Sequence, residues 1–308
     1  MKGVLGLART ATGRIGLTRW SQAGTGGLVG ALHNGSRARR LLSTSTSESE
    51  LKHFAELASS WWDVQGPQRI LHKMNLLRVD YIRDTLQNYD NSSGQMPGYS
   101  LDLLPAEEKQ RILNSAKEKQ GMNILDVGCG GGIMSESLAR LDISKQVTGI
   151  DLSPDVLGAA KAHQQQDPTL SAKLTYKLSS LEEVEGKFDM ITMFEVLEHV
   201  DSPAHMMRSA VDRLNPGGWL FLSTINRTPV SYFTTIFMGE HLLKIVPKGT
   251  HTWSKYINES ELREWVDDQA DVQFVRSDGC LFVPCVGWQL TPWNHTVGNY
   301  FMALRRRH

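Results

Sequence analysis

At 308 residues the chain exceeds what one core of roughly 100–200 residues needs, which fits one elaborated domain with appendages better than two full domains. Apolar residues make up 40% and charged residues 21%, as in an ordinary globular chain, and apolar runs such as MITMFEVL and WLFLSTI stop well short of the roughly 20 residues a membrane-crossing helix requires. Cys129, Cys280 and Cys285 form no CxxC pair and no cluster with histidine, which argues against a disulfide framework and a structural zinc site.

The formal net charge of zero hides an asymmetry. Met1 to Ser47 carries seven bases (Lys2, Arg9, Arg14, Arg19, Arg37, Arg39, Arg40) and no acid, leaving 26 bases against 33 acids in the remainder. This segment is rich in Arg, Ser, Thr and Gly and lacks a continuous apolar core, so residues 1–45 read as a mitochondrial transit peptide, with Arg40-Leu41-Leu42-Ser43 resembling a matrix processing site. Only one aromatic residue, Trp20, lies among these bases and the rest of the chain is acidic, which speaks against a nucleic-acid-binding arm.

Residues 46–120 are predicted to form a helical N-terminal extension, or lid. Leu51, Phe54, Leu57, Ala58 and Trp61 recur at helical spacing, as do Ile70, Leu71, Met74, Leu77, Tyr81, Ile82 and Leu86 after a break at Gly66-Pro67. A Gly/Pro-marked loop over 91–104 and a charged helix over 105–119 follow. From 121 to 304 short apolar runs alternate with amphipathic ones: NILDVGC and IMSESLARL, VTGIDL and PDVLGAAKAH, KLTYKLSS, FDMITMFEV and PAHMMRSAVDRL, WLFLSTI and ESELREWVDD, QFVRSDG, and a last strand VGNYFMAL. That alternation predicts a mostly parallel sheet with helices on both faces. Residues 226–251 form an apolar insertion in which Tyr232, Phe233, Ile236 and Phe237, then Leu242, Leu243, Ile245 and Val246, resemble an interfacial amphipathic helix. RRRH at the C-terminus reads as a solvated tail.

The strongest chemical signal is LDVGCGGG. A buried strand turns into a helix through Gly128, Gly130, Gly131 and Gly132, where missing side chains let backbone approach a nucleotide-like ligand. A dinucleotide fingerprint would place a third glycine at Ile133, and there is no YxxxK pair, so an NAD(P)-dependent oxidoreductase is the weaker reading. Asp151, 23 residues after Gly128, ends the second strand where an acid can accept ribose hydroxyls. Ser153-Pro154-Asp155 opens the next helix with a cap, a fixed φ and an acid at the positive end of the dipole. Cys129 reads as a packing residue, Met206-Met207 as sheet-facing core, and Trp61-Trp62, Trp288 and Trp293 as core or pocket wall. His251 in GTHTW is either a substrate contact or a satisfied loop histidine.

After the fourth strand come Glu195, Glu198 and His199. If this stretch turns helically, the three share one face and offer two carboxylates and an imidazole to Mg²⁺ or another hard divalent cation. The alternative is a metal-free site in which the acid and the histidine organise local hydrogen bonds, with His199 as catalytic general base. The residues alone do not separate the two.

LDVGCGGG, GIDLSP, FEVLEHV and LNPGG resemble the successive motifs of class I S-adenosylmethionine-dependent methyltransferases, over about 123–280. WWDVQGPQRILHKMNLLRVDYI and NRTPVSYFTTIFMGEHLLKIVPKGTHTWSKYI narrow the resemblance to the O-methyltransferases of ubiquinone biosynthesis, over nearly all of 50–304; Leu76 departs from that family's usual proline. The resemblance implies a seven-stranded Rossmann-like α/β fold with S-adenosylmethionine as co-substrate. It assigns Arg78 to the methionine carboxylate, Gly128 to the glycine loop, Asp151 to the ribose and Phe194 to the neighbourhood of the adenine, and it favours Mg²⁺ on Glu195, Glu198 and His199. It further implies polyprenylated dihydroxybenzoate and demethylubiquinol as substrates and membership of a multi-subunit ubiquinone biosynthesis complex. The expected location is the matrix side of the mitochondrial inner membrane, in peripheral contact with anionic lipid and with no nucleic-acid partner. The rivals are a methyltransferase of another small mitochondrial molecule, the oxidoreductase and a catalytically silent assembly subunit.

Overall fold

The computed structural model describes residues 57–66, 68–92, 121–232, 252–283, 286–291 and 297–308, with residues 55, 105 and 107. The expected leader, the helix over 105–119, His251, Trp293 and the insertion from Phe233 onward lie outside these residues. Of the two helices expected before the core, the second is α1 (Arg69–Ser92), 24 residues long. In the stretch where the first was expected, Ala55 and Leu57 are helical and a 3₁₀ turn, Ala58–Ser60, follows and leads into Trp61 and Trp62.

The core alternates as its apolar pattern requires: β1 (Met122–Val127), α2 (Ile133–Ala139), β2 (Ser144–Asp151), α3 (Pro154–Gln164), β3 (Leu174–Leu178), β4 (Phe188–Phe194), α4 (Pro203–Asp212), β5 (Leu214–Ile225), α5 (Glu259–Asp267), β6 (Val272–Val283), β7 (Gly287–Thr291) and β8 (Asn299–Arg306). Helix entries follow local chemistry. Ser153 Oγ accepts from Val156 N–H ahead of Pro154, and Asn258 and Glu261 form a reciprocal capping box at α5.

Among the described residues the sheet has eight strands in the order β3-β2-β1-β4-β5-β8-β6-β7, one more than the seven expected. β1 to β5 are mutually parallel, and β8 runs antiparallel between β5 and β6. The additional strand is β7, a short edge strand that pairs only with β6 and whose Trp288 indole donates to the Ile70 carbonyl at 3.2 Å. Five residues with weak alternation, flanked by proline and cysteine, gave no strand signal of their own.

Both faces of the sheet are covered, which explains the near-continuous apolar strands. Leu125, Ile191, Met193, Leu220, Leu222 and Met302 point to one face and meet Met206, Met207 and Val211 of α4 and Leu262 and Val266 of α5. The intervening residues, Ile124, Met190, Phe221 and Phe301 among them, face α1, α2 and α3. Tyr81 docks α1 there, its ring 6.2 Å from Phe221 and 5.4 Å from Phe301, and its hydroxyl donates to the Arg276 carbonyl at 2.9 Å. The C-terminal arginines depart from the solvated tail expected of them. Arg305 lies 4.3 Å over the Tyr89 ring, and Arg306 donates to the carbonyls of Val211, Asp212 and Leu214 at the end of α4.

Candidate active site

The sheet order reverses between β1 and β4, and the carboxyl ends of these strands are where an open α/β sheet leaves a crevice. The glycine loop occupies that position. Gly128 (φ +65°) and Gly130 (φ +54°) adopt left-handed backbone; a Cβ at Gly128 would lie 2.7 Å from Val196, and one at Gly130 would lie 2.5 Å from Trp61. Trp61 fills the space beside Gly130 and Gly131, and the Trp62 indole donates to the Gly131 carbonyl at 2.8 Å while its ring stacks on His163 at 3.4 Å. The tryptophan pair therefore forms a wall on the loop, within the range of readings the sequence allowed. The Cys129 thiol is buried and its pKa is pushed well up by desolvation, as befits a packing residue.

Asp151 ends β2. Its two carboxylate oxygens accept from Gly130 N–H and Ser153 N–H, each at 2.9 Å, so it ties the glycine loop to α3. Each oxygen keeps a further lone pair for a ligand hydroxyl. Burial raises its pKa from the usual carboxylate value, against the lowering effect of those backbone bonds.

Arg78 comes from α1 and is 6% exposed. Its guanidinium lies 5.1 Å from the Phe194 ring centroid and 3.9 Å from Glu195 Oε1. Among the described residues its Nε and Nη2 have no hydrogen-bond acceptor. Burial lowers its pKa, while Glu195 and Asp126 oppose that shift. Its charge is thus offset only at a distance, and two of its donors are left without hydrogen bonds among the described residues.

A methyltransferase-domain family model matches residues 101–273 of this chain. The chain is 52% identical to the mitochondrial ubiquinone biosynthesis O-methyltransferase of Candida albicans, over 85% of this chain and 86% of that one. The chain belongs to the ubiquinone biosynthesis O-methyltransferase family. It is 48% identical to the Saccharomyces cerevisiae member over 87% of this chain and 90% of that one, and 36% identical to the Xanthomonas campestris (strain B100) member over 79% and 87%. As a member it is an S-adenosylmethionine-dependent O-methyltransferase, and S-adenosylmethionine is its co-substrate.

In this methyltransferase the segment after β4 does not form the helical face on which the sequence reading of Glu195, Glu198 and His199 rested. Glu195 has φ +57°, Val196 breaks the turn, and only Leu197–His199 form a 3₁₀ turn. Glu195 is held instead by distant strands: its Oε1 accepts from Ser223 Oγ at 2.6 Å and its Oε2 from Asn299 Nδ2 at 3.1 Å. Glu198 is buried and accepts from Thr224 Oγ1 at 2.9 Å. Among the described residues no three His, Cys, Asp or Glu side chains come together closely enough to hold a metal ion. The Glu198 carboxyl is pushed up to about 7, by burial first and by the charge of Glu195 second, with His199 opposing.

Asp126, within LDVGCGGG just before the glycine loop, has no role in the sequence reading. It is buried on the same face of the sheet as α1, accepts from Ser135 Oγ at 2.6 Å and Thr192 Oγ1 at 2.7 Å, and lies near enough to Arg78 for each to bias the other's charge. The signal that could have exposed it is its place at the carboxyl end of β1, on a strand otherwise apolar from Ile124 to Val127.

Burial raises the Asp126 pKa to about 6 from 3.8. A carboxyl with a raised folded-state pKa binds its proton more tightly in the native protein, so its stabilising contribution is lost as pH rises from the unfolded to the folded value. Asp126→Asn is expected to gain stability relative to the unsubstituted chain between about pH 4 and pH 6 and to hold a constant difference above that, measured by urea denaturation across pH.

Proposed function

We propose that this chain transfers the methyl group of S-adenosylmethionine to a ring hydroxyl of 3,4-dihydroxy-5-polyprenylbenzoate and of demethylubiquinol. The observation that carries the reading is the buried Arg78 guanidinium beside β4, whose Nε and Nη2 lack acceptors among the described residues, in a family whose members are named for ubiquinone biosynthesis and O-methyl transfer.

Arg78 grips the α-carboxylate of the methionyl group with its planar fork. Gly128 keeps the loop free of a side chain where the cofactor passes, and Asp151 accepts the ribose hydroxyls on the lone pairs its backbone partners leave free. Phe194, expected near the adenine, is assigned to the methionyl end because its ring lies against Arg78. The sulfonium is already activated, so the protein's remaining work is to align oxygen, methyl and sulfur, to exclude water and to take up the phenolic proton. Ionising a phenol of pKa near 10 close to neutral pH costs about 3 kcal/mol. His199, partly buried just after β4, is the general base in this reading.

A second reading, with Mg²⁺ or another divalent cation on Glu195, Glu198 and His199, is favoured by one observation: the charge of Glu195 helps hold the Glu198 carboxyl above its usual range, which a cation would offset. Their donor chemistry fits a hard cation, although the side chains do not converge as described. Such an ion would lower the pKa of the phenol when bound.

The same proposal locates the enzyme on the matrix side of the mitochondrial inner membrane, among the other proteins of ubiquinone biosynthesis. The basic leader and relatives named mitochondrial support this. No helix among the described residues is long and apolar enough to cross a membrane. Residues 226–251 are assigned a peripheral contact with anionic lipid; at the edges of that segment Val230, Tyr232 and Trp253 are 44%, 49% and 40% exposed.

Labelled methyl transfer to a short-tailed dihydroxybenzoate tests the activity. Arg78→Gln is expected to raise the KM for S-adenosylmethionine by about ten- to a hundredfold, the range of a hydrogen bond to a charged group; an unchanged KM removes Arg78 from the site, and no transfer by the unsubstituted chain leaves the silent-subunit reading. Excess EDTA separates the two proton-handling readings: full activity leaves His199 acting alone, and loss restored by Mg²⁺ favours the cation. Flotation with cardiolipin-containing liposomes should be lost in Phe233→Glu with Phe237→Glu while turnover of the short-tailed substrate is kept; unchanged flotation moves the lipid contact elsewhere.

A further inference from the structure

α1 buries two polar side chains three residues apart, hence on one face of the helix, and each retains an unanswered group. Asn75 is 5% exposed. Among the described residues its Oδ1 has no hydrogen-bond donor, just as Nε and Nη2 of Arg78 have no acceptor. Buried polar atoms are normally paired, so a lone acceptor on the same helix face as lone donors points to a ligand that carries both complements.

The orientation of the Asn75 amide follows from its neighbour. Asn75 Nδ2 lies 2.8 Å from Ser137 Oγ, and the single Ser137 hydroxyl proton is given to the Ile133 carbonyl at 2.9 Å. Towards Asn75 the hydroxyl can therefore only accept, which turns the amide nitrogen to Ser137 and leaves Oδ1 without a partner. Ser137 lies one turn into α2, the helix that follows the glycine loop, so Asn75 is anchored on that helix. Arg78, one helical turn further on, is anchored at the end of β4 by Phe194 and Glu195.

We propose that Asn75 Oδ1 accepts a hydrogen bond from the α-ammonium of S-adenosylmethionine, beside the α-carboxylate held by Arg78. The proposal rests on the cofactor reading given above and assigns both ends of the amino-acid head group to one face of α1. A neutral acceptor suffices to orient the ammonium, because Asp126 and Glu195 already supply negative charge around Arg78. Asn75 is a binding residue in this scheme, and Ser137 is a positioning residue that acts through it.

Calorimetric titration of the full chain with three ligands provides the test: S-adenosylhomocysteine, its desamino analogue, which lacks the ammonium, and 5′-methylthioadenosine, which lacks the whole head group. Asn75→Leu should weaken S-adenosylhomocysteine by about ten- to a hundredfold, the range of a hydrogen bond to a charged group. The same substitution should leave the other two ligands within about twofold of the unsubstituted protein, below the effect of even one ordinary hydrogen bond. Ser137→Ala releases the amide and should give a smaller loss with the same ligand pattern. Unchanged S-adenosylhomocysteine affinity in Asn75→Leu overturns the proposal, and so does an equal loss across all three ligands, which marks a packing role only. If circular dichroism finds Asn75→Leu unfolded, Ser137→Ala decides by the same criteria. Failure of the unsubstituted chain to bind S-adenosylhomocysteine overturns the cofactor site as well.

Discussion

The constraint from which the site follows is the neighbouring of β1 and β4 in the sheet although β2 and β3 intervene in the chain. From β1 the polypeptide departs outward to β2 and β3, then crosses back to β4 on the other side, so the connections above the two central strands diverge. The gap they leave cannot be filled by either connection. The glycine loop lines it from β1, Asp151 ties that loop to the next helix from β2, and Phe194 and Glu195 border it from β4. None of these residues needs to be near another in sequence, because the register of five parallel strands brings their ends to one edge.

The parallel sheet alone supplies little positive charge to this crevice. That comes from α1, which lies outside the alternating β/α units and is docked by Tyr81 on Phe221 and Phe301. Carrying Arg78 into a buried setting without full pairing lowers the stability of the empty protein, since a desolvated guanidinium loses its water and regains only a distant carboxylate. The same arrangement makes anion binding favourable without rearrangement of the donor. In the proposed cofactor reading, stability is given up at the place where binding requires it.

Features that depend on local chemistry were legible in the sequence. The turn through Gly128 to Gly132, the Ser153-Pro154-Asp155 helix entry and the apolar alternation of β1, β2 and β4 each specify their own structure within a few residues, and the fold and family follow from them. Features fixed by distant contacts were not. The left-handed backbone of Glu195 is held by Ser223 of β5 and Asn299 of β8, and no local pattern announces it, so the assumption of one helical face for Glu195, Glu198 and His199 failed there. β7 is specified by pairing with β6 and by Trp288 against α1, and its five residues look like loop on their own. Asp126 was visible as a residue but not as a partner of Arg78, because that proximity exists only once α1 has packed.

The last strand in the chain, β8, is not at an edge of the sheet. It is inserted between β5 and β6 and contributes ladder bonds to both. Until residues 299–306 are available, β5 and β6 present open hydrogen-bonding edges with apolar side chains behind them, the kind of surface that pairs with other chains. β1 to β5 precede β8 in the chain, so closure of the sheet must wait for residues 299–306. Truncation by even a dozen C-terminal residues therefore does more than shorten a tail: it splits the sheet in two and removes the Asn299 partner of Glu195 along with it.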